Sequence, residues 1–268
     1  MINKSLEFIL WLFYPSPILY NLILKNMADF MFFGGIFILA FLYSSVGHGG
    51  ASGYLALMAV FSFSPEFMRP TALIMNIFVS SIALLSYYRG GHFRFKLLLP
   101  FIISSVPFAF LGGTINVHPK VYKIILGIFL IISILRMLFR PKNENVENKN
   151  VNFTLALFIG ILLGFFSGLI GIGGGIILSP IIILLKWGNM KQTAAVSAAF
   201  ILLNSIAGII GQLTDGIHLA PETAAMLAFA VGGGFFGSWL GSHKLTNLAL
   251  KYTLALVLSF ASFKLLFF

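Results

Sequence analysis

The sequence predicts an all-α integral membrane protein of two inverted repeats, each a broken-helix hairpin plus three transmembrane helices. Three observations carry this. The apolar runs approach 20 residues, about the length needed to span a hydrocarbon core of about 30 Å. A pattern of runs and glycine-rich breaks occurs twice, and the basic loops gather on one side. Composition agrees: of 268 residues, 59% are hydrophobic and 9% charged, with a mean hydropathy of +1.01. A soluble domain carries about 25% charged residues to face water. The chain has no cysteine, which excludes a disulfide frame, a thiolate metal site and a cysteine nucleophile. The net charge of +10 does not mark a nucleic-acid binder. Its Lys and Arg sit in short loops beside apolar runs, where they act first as orientation signals.

Taken in order, residues 1–29 hold an apolar segment at 5–24, interrupted by Pro15-Ser16-Pro17. Two mid-segment prolines and the lack of a small-residue cleavage site argue against a signal peptide. A kinked span and an interfacial helix both fit. The first repeat covers 30–139: a run at 30–46, a break at 47–53, a short run to about 63, and spans near 70–88, 95–115 and 120–139. Residues 140–151 are the long polar stretch and read as a cytoplasmic linker. The second repeat covers 152–268: a run at 152–170, a break at 171–175, a short run to 185, and spans near 193–213, 222–241 and 248–267. Short echoes support the duplication. Val46-Gly47-His48-Gly49-Gly50 parallels Ile170-Gly171-Ile172-Gly173-Gly174, and Phe110-Leu111-Gly112-Gly113 parallels Phe235-Phe236-Gly237-Ser238. His92 and His218 follow glycines in loops and read as interfacial.

Loop charge sets the orientation. If each break is the tip of a hairpin that returns to its own side, the basic loops coincide. Arg89, Arg94, Lys96, Arg140, Lys142, Lys149, Lys186, Lys191 and Lys244 all fall on one side. The other side carries Arg69, Lys120 and the acidic loop with Asp215 and Glu222. The positive-inside rule makes the basic side cytoplasmic. Treating each break as a kink in one long span scatters the same residues. The hairpin reading therefore inverts one half relative to the other, as suits a protein that opens alternately to both sides.

The breaks are the candidate binding site. Glycine permits positive φ and leaves its backbone N–H open to a ligand. Unwound backbone survives in lipid only where it lines a cavity or is buried in protein. The short helix after each break presents its N-terminus, with free N–H donors and partial positive charge, at membrane depth. Candidate anion-binding residues are Gly47, His48, Gly49, Gly50 and Ser52 in the first break, Gly171, Gly173, Gly174 and Gly175 in the second, and Asn76 and Asn204 in the spans that follow. Close helix packing is the competing account of the glycines, and a helix–helix hydrogen bond is that of each asparagine. Gly160 and Gly164 are a small-xxx-small pair and read as packing. His48, which Ile172 replaces in the second half, is an anion donor, a proton carrier or a packed core residue. No Lys or Arg lies within the expected spans near the breaks, so backbone N–H groups and neutral donors are expected to hold the anion.

At these residues the chain resembles the TauE/SafE family of sulfite exporters, also called the toluene sulfonate uptake permease family. The Gly-x-Gly-Gly break in both halves, the linker and the small-residue region near 109–113 carry the likeness over about 30–268. His48 and the extra N-terminal segment depart from it. The resemblance implies secondary transport of sulfite, organosulfonates or other sulfur-containing anions across the cell's inner or plasma membrane, in a family whose members differ in substrate and direction. Export is the direction expected here, because an inside-negative voltage drives a monoanion outward. An anion channel is the alternative. An enzyme is not expected, because the spans hold no acid pair, no His-x-x-x-His set and no serine beside a base. No cofactor or metal is expected. The partners expected are the bilayer, a small anion and, as an open option, a second copy of the chain.

The topology makes a prediction. Asn145→Cys and Ser64→Cys variants should react with an impermeant thiol reagent from opposite sides of the membrane. Labelling of both from one side removes the hairpin arrangement.

Overall fold

The computed structural model describes residues 17–118, 149–214 and 221–243, with scattered positions at 120–131 and 216–219. Residues 5–16, linker residues 140–148, His218 and the expected span at 248–267 lie outside the described residues, and the expected span at 120–139 is described only at scattered positions. The described elements are helices: α1 Pro17–Ser44, α2 Ala51–Val60, α3 Pro65–Arg89, α4 Phe95–Gly113, α5 Phe153–Ile170, α6 Gly175–Leu184, α7 Met190–Gln212 and α8 Glu222–His243. Among the described residues, six segments are long and apolar enough to cross a membrane: Met27–Ser44, Pro65–Arg89, Phe95–Gly113, Phe153–Ile170, Met190–Gln212 and Glu222–Ser242. The chain is therefore a multi-pass, all-helical membrane protein.

Helix boundaries follow local chemistry. Asn152 caps α5 by accepting the Leu155 N–H, and Asn189 forms a full capping box with Gln192 at the start of α7. α3 starts five residues before the expected span, with Ser64 as N-cap and Pro65 in the first turn. Proline is favoured there because its missing N–H is an orphan position anyway. α1 runs unbroken from Pro17 through Asp29, where the sequence suggested two segments. Lys25, Asn26 and Asp29 end an apolar run, but they do not break a helix.

Glycines set the closest helix contacts. A β-carbon on Gly160, Gly164 or Gly168 of α5 would strike the carbonyl oxygens of Phe101, Ser105 and Ala109 of α4. On Gly233, Gly237 and Gly241 of α8 it would strike those of Phe37 and Phe41 of α1 and of Ser45 just past its end. Both stripes are small-xxx-small seams, and the packing reading of Gly160 and Gly164 holds. Ser104 adds a hydrogen bond across the first seam to the Leu157 carbonyl at 2.8 Å, and Ser44 one across the second to the Gly234 carbonyl at 2.7 Å.

The order of these contacts sets the helix directions. Along both seams residue numbers rise together, so α4 runs parallel to α5 and α1 to α8. α3 also runs parallel to α8, with Val79 at Gly234 and Ser86 at Ser238. α3 and α7 are antiparallel, with Leu73 at Gly208 and Asn76 at Ser205. Thus α1, α3 and α8 run one way, and α4, α5 and α7 the other. α2 folds back on α1, with Leu57 at Gly35 and Gly53 at Tyr43. α6 runs antiparallel to α7, with Ser179 at Ser197 and Gly175 at Ile201.

The seams predict a mutational contrast. Gly164→Leu should destabilise the detergent-solubilised protein by about 3 kcal/mol, the upper end for overpacking, because a backbone carbonyl has nowhere to move. Gly34→Leu, where a β-carbon meets nothing within 4 Å, should leave thermal unfolding near that of the parent. Equal effects in the two variants would remove the seam as the source of stability.

Candidate functional site

Each break is a run of left-handed glycines between a long helix and a short one. Gly47 and Gly50 have φ of 78° and 94°, and Gly171, Gly173 and Gly174 have 85°, 71° and 71°. Gly50 and Gly174 are the N-caps of α2 and α6, and neither offers a side chain to the orphan N–H groups. Other elements must meet those donors. Each break lies against the opening of the opposite half's third helix. A β-carbon on Gly47 would meet the Ala194 carbonyl at 2.5 Å, and one on Gly171 would meet the Arg69 carbonyl at 3.2 Å.

The two breaks converge on one side chain. Asn76, wholly buried in α3, accepts the Ala51 N–H at 3.0 Å through Oδ1 and so caps α2 from outside. Its Nδ2 donates to Ser205 Oγ on α7 at 3.4 Å. Oδ1 lies where a β-carbon on Gly49 would stand, and Nδ2 lies 2.6 Å from the place of one on Gly173. Ile201 Cγ2 touches the same two places at 3.1 and 2.9 Å. Asn76 and Ile201 therefore hold matching positions between the breaks. Asn204, which the sequence pairs with Asn76, lies almost one turn further along α7. Its Nδ2 donates to the Phe200 carbonyl of its own helix at 2.8 Å, and its buried Oδ1 has no partner among the described residues.

The first break carries most of the polar chemistry. Ser52 Oγ is bonded to Tyr43 Oη at 2.8 Å. His48 is buried, with Nδ1 at 3.0 Å from the Val46 carbonyl and Nε2 at 3.1 Å from Ser179 Oγ on α6. A carbonyl only accepts, so Nδ1 carries the proton, and in the neutral ring Nε2 accepts from Ser179. Ser179 in turn bonds Ser197 of α7 at 2.7 Å. This chain ties the first break to the second half of the molecule. The equivalent place in the second break belongs to Ile172, which packs in an apolar cluster with Leu55 and Ala72.

A fixed cation also lies beside the second break, contrary to the expectation of neutral groups alone. Arg69 is inside α3 and buried. Its Nη1 donates to the Ile115 carbonyl at 3.3 Å and its Nη2 to the Gly168 carbonyl at 3.4 Å, near the C-terminal ends of α4 and α5. Those ends carry partial negative charge, which supports a buried guanidinium. Pro65 is the sequence signal that places Arg69 within the helix rather than in a loop. The described carboxylates, Asp29, Glu66 and Glu222, are all exposed. No group of three His, Cys, Asp or Glu side chains able to hold a metal occurs among the described residues. His92, in the turn after α3, is held below its ordinary pKa by partial burial and by Lys191 nearby.

The sequence family described as sulfite exporter TauE/SafE matches residues 31–265. A probable membrane transporter protein, y4hK of Sinorhizobium fredii, is 35% identical over 234 residues, covering 86% of this chain and 95% of that one. The probable membrane transporter protein YjnA of Bacillus subtilis is 29% identical over 255 residues, covering 87% and 97%. No solved structure matches the chain at a significant level. A match that runs through both breaks and nearly the whole chain has one conclusion: the protein belongs to the TauE/SafE family of membrane transporters.

Proposed function

We propose that the chain is a secondary transporter that carries a small sulfur-containing anion, sulfite or an organosulfonate, outward through a site between the two glycine breaks. The observation that carries this is the convergence of the α2 and α6 N-termini on Asn76. Two helix N-termini, the nearby Arg69 and the absence of a buried carboxylate among the described residues make the potential positive there. The family description supplies the sulfur oxyanion. Export follows from voltage: a monoanion leaving an inside-negative cell gains about 2.3 kcal/mol per 100 mV. The two halves act as inverted repeats in this proposal. In support, each of α1, α3 and α4 runs opposite to its counterpart α5, α7 or α8. The relatives' names support a carrier and offer nothing for a channel.

The direct test is a binding and flux series on purified protein with sulfite, sulfate, thiosulfate and methanesulfonate. One of these should stabilise the protein and show saturable flux in proteoliposomes. Non-saturating currents would indicate a channel, and no response to any of the four would remove the anion site. Gly49→Val and Gly173→Val should each lower flux at least tenfold, since either side chain fills the space between the breaks that the anion would enter. Full flux in both variants at normal abundance would make the glycines packing elements only.

His48 is the group proposed to couple protons to transport. Protonation turns Nε2 from acceptor to donor, so the Ser179 hydroxyl must reverse. His48→Gln should keep anion binding and flatten the dependence of flux on pH. An unchanged profile would leave voltage as the driving force.

A further inference from the structure

Within the first break, Tyr54 has no place in the reading above. It is in the first turn of α2 and wholly buried, and its hydroxyl has no hydrogen-bond partner among the described residues. The ring folds back over the break: a β-carbon on Gly50 would lie 2.6 Å from both Cζ and Oη. Gly50 is the N-cap, and the next residue, Ala51, gives its N–H to Asn76. A buried phenol with an unused proton is unfavourable unless some state of the protein supplies an acceptor. Its counterpart in the second half, at the same place in the first turn of α6, is the buried Leu178. The unpartnered phenol therefore has no equivalent in the first turn of α6.

Asn76 presents the complementary oddity. An amide-bearing side chain reaches across from α3 to place a neutral oxygen on the N-terminus of a helix that has no cap of its own. That is where an anion oxygen binds a helix N-terminus. Two glycines, 49 and 173, leave the space that this amide fills.

We propose that Asn76 Oδ1 is a built-in stand-in for a substrate oxygen, that an oxyanion displaces it from the Ala51 N–H, and that Tyr54 Oη is the donor waiting for that oxyanion. The ligand class is an anion with an oxygen-bearing head, a sulfite or sulfonate, because its oxygen replaces an amide oxygen. This rests on the anion-site reading and assigns new roles within it. Asn76 competes with the substrate rather than donating to it, and Tyr54 is a binding residue. Displacement also frees Asn76 from the first break while Nδ2 faces Ser205 of α7, so arrival of the anion alters the contact between the two halves.

The experiment uses the full chain in detergent, with sulfite and methanesulfonate as probes and thermal stabilisation and equilibrium binding as readouts. Asn76→Asp puts a carboxylate on the α2 N-terminus, so it should raise the melting temperature of the free protein and abolish stabilisation by the probes. Asn76→Ala removes the competitor and should bind the probe about fivefold more tightly, the scale of one net hydrogen bond. Tyr54→Phe should bind about fivefold more weakly while the free protein is no less stable, since the lost hydroxyl had no partner. Weaker binding by Asn76→Ala would make Asn76 a direct ligand and overturn the stand-in. Retained binding by Asn76→Asp, or unchanged affinity in Tyr54→Phe, would also overturn the proposal. A parent protein that responds to neither probe counts against the anion site itself, not against the assignment within it.

Discussion

A peptide group without a hydrogen bond is costly in hydrocarbon, and this chain stops two helices inside its apolar body. The Asn76 amide meets the donor that opens α2 and turns its other face toward Ser205 on the opposite half. The neighbouring structure is arranged around that one side chain. Gly49 and Gly173 are bare where it sits, and Ile201 closes the remaining gap from α7. A glycine turn between two apolar helices is tolerable here because the backbone donor it leaves is taken up by another element.

The halves share an architecture and differ in chemistry. Each gives a long helix, a left-handed glycine turn, a short helix and a return. The first break holds His48, Ser52 and Tyr54, while the second holds Ile172, Ile176 and Leu178 at the matching places. The polar side chains gather at the first break. The second side keeps the geometry and supplies two serines, Ser179 and Ser197, to the histidine of the first. Neither half alone holds that hydrogen-bond chain. Arg69 shows the same economy across the halves, since it belongs to α3 yet binds a carbonyl of α5.

Stability comes from elsewhere. Lipid gives apolar helices little reason to associate through burial alone, so backbone proximity and dispersion must do so. The glycine stripes of α5 and α8 each admit the backbone of a parallel helix from the other half. These seams hold the frame within which the antiparallel α3 and α7 bring the breaks together. Phe101, Trp187 and Phe200 fill one end of that frame, and Phe32, Phe61 and Phe63 line another.

The membrane class and the two glycine breaks were legible in the sequence, because hydrophobic length and glycine runs are local properties. Caps and prolines were legible too, and Pro65 read as a helix start would have put Arg69 inside α3. What the chain alone did not determine is which residues meet. The pairing of Asn76 with Asn204 looked natural by position within each span. Yet helix register, set by the packing of α3 against α7, gives Asn76 the partner place of Ile201 and turns Asn204 to its own helix. Tyr54 is an aromatic in a short apolar run with no sequence signal of its own, and only the fold of α2 over Gly50 brings its hydroxyl to the break. Sequence determines where a helix must stop in a membrane. Tertiary packing decides which distant side chain satisfies the end it leaves, because that choice depends on rotation and register between helices far apart in the chain.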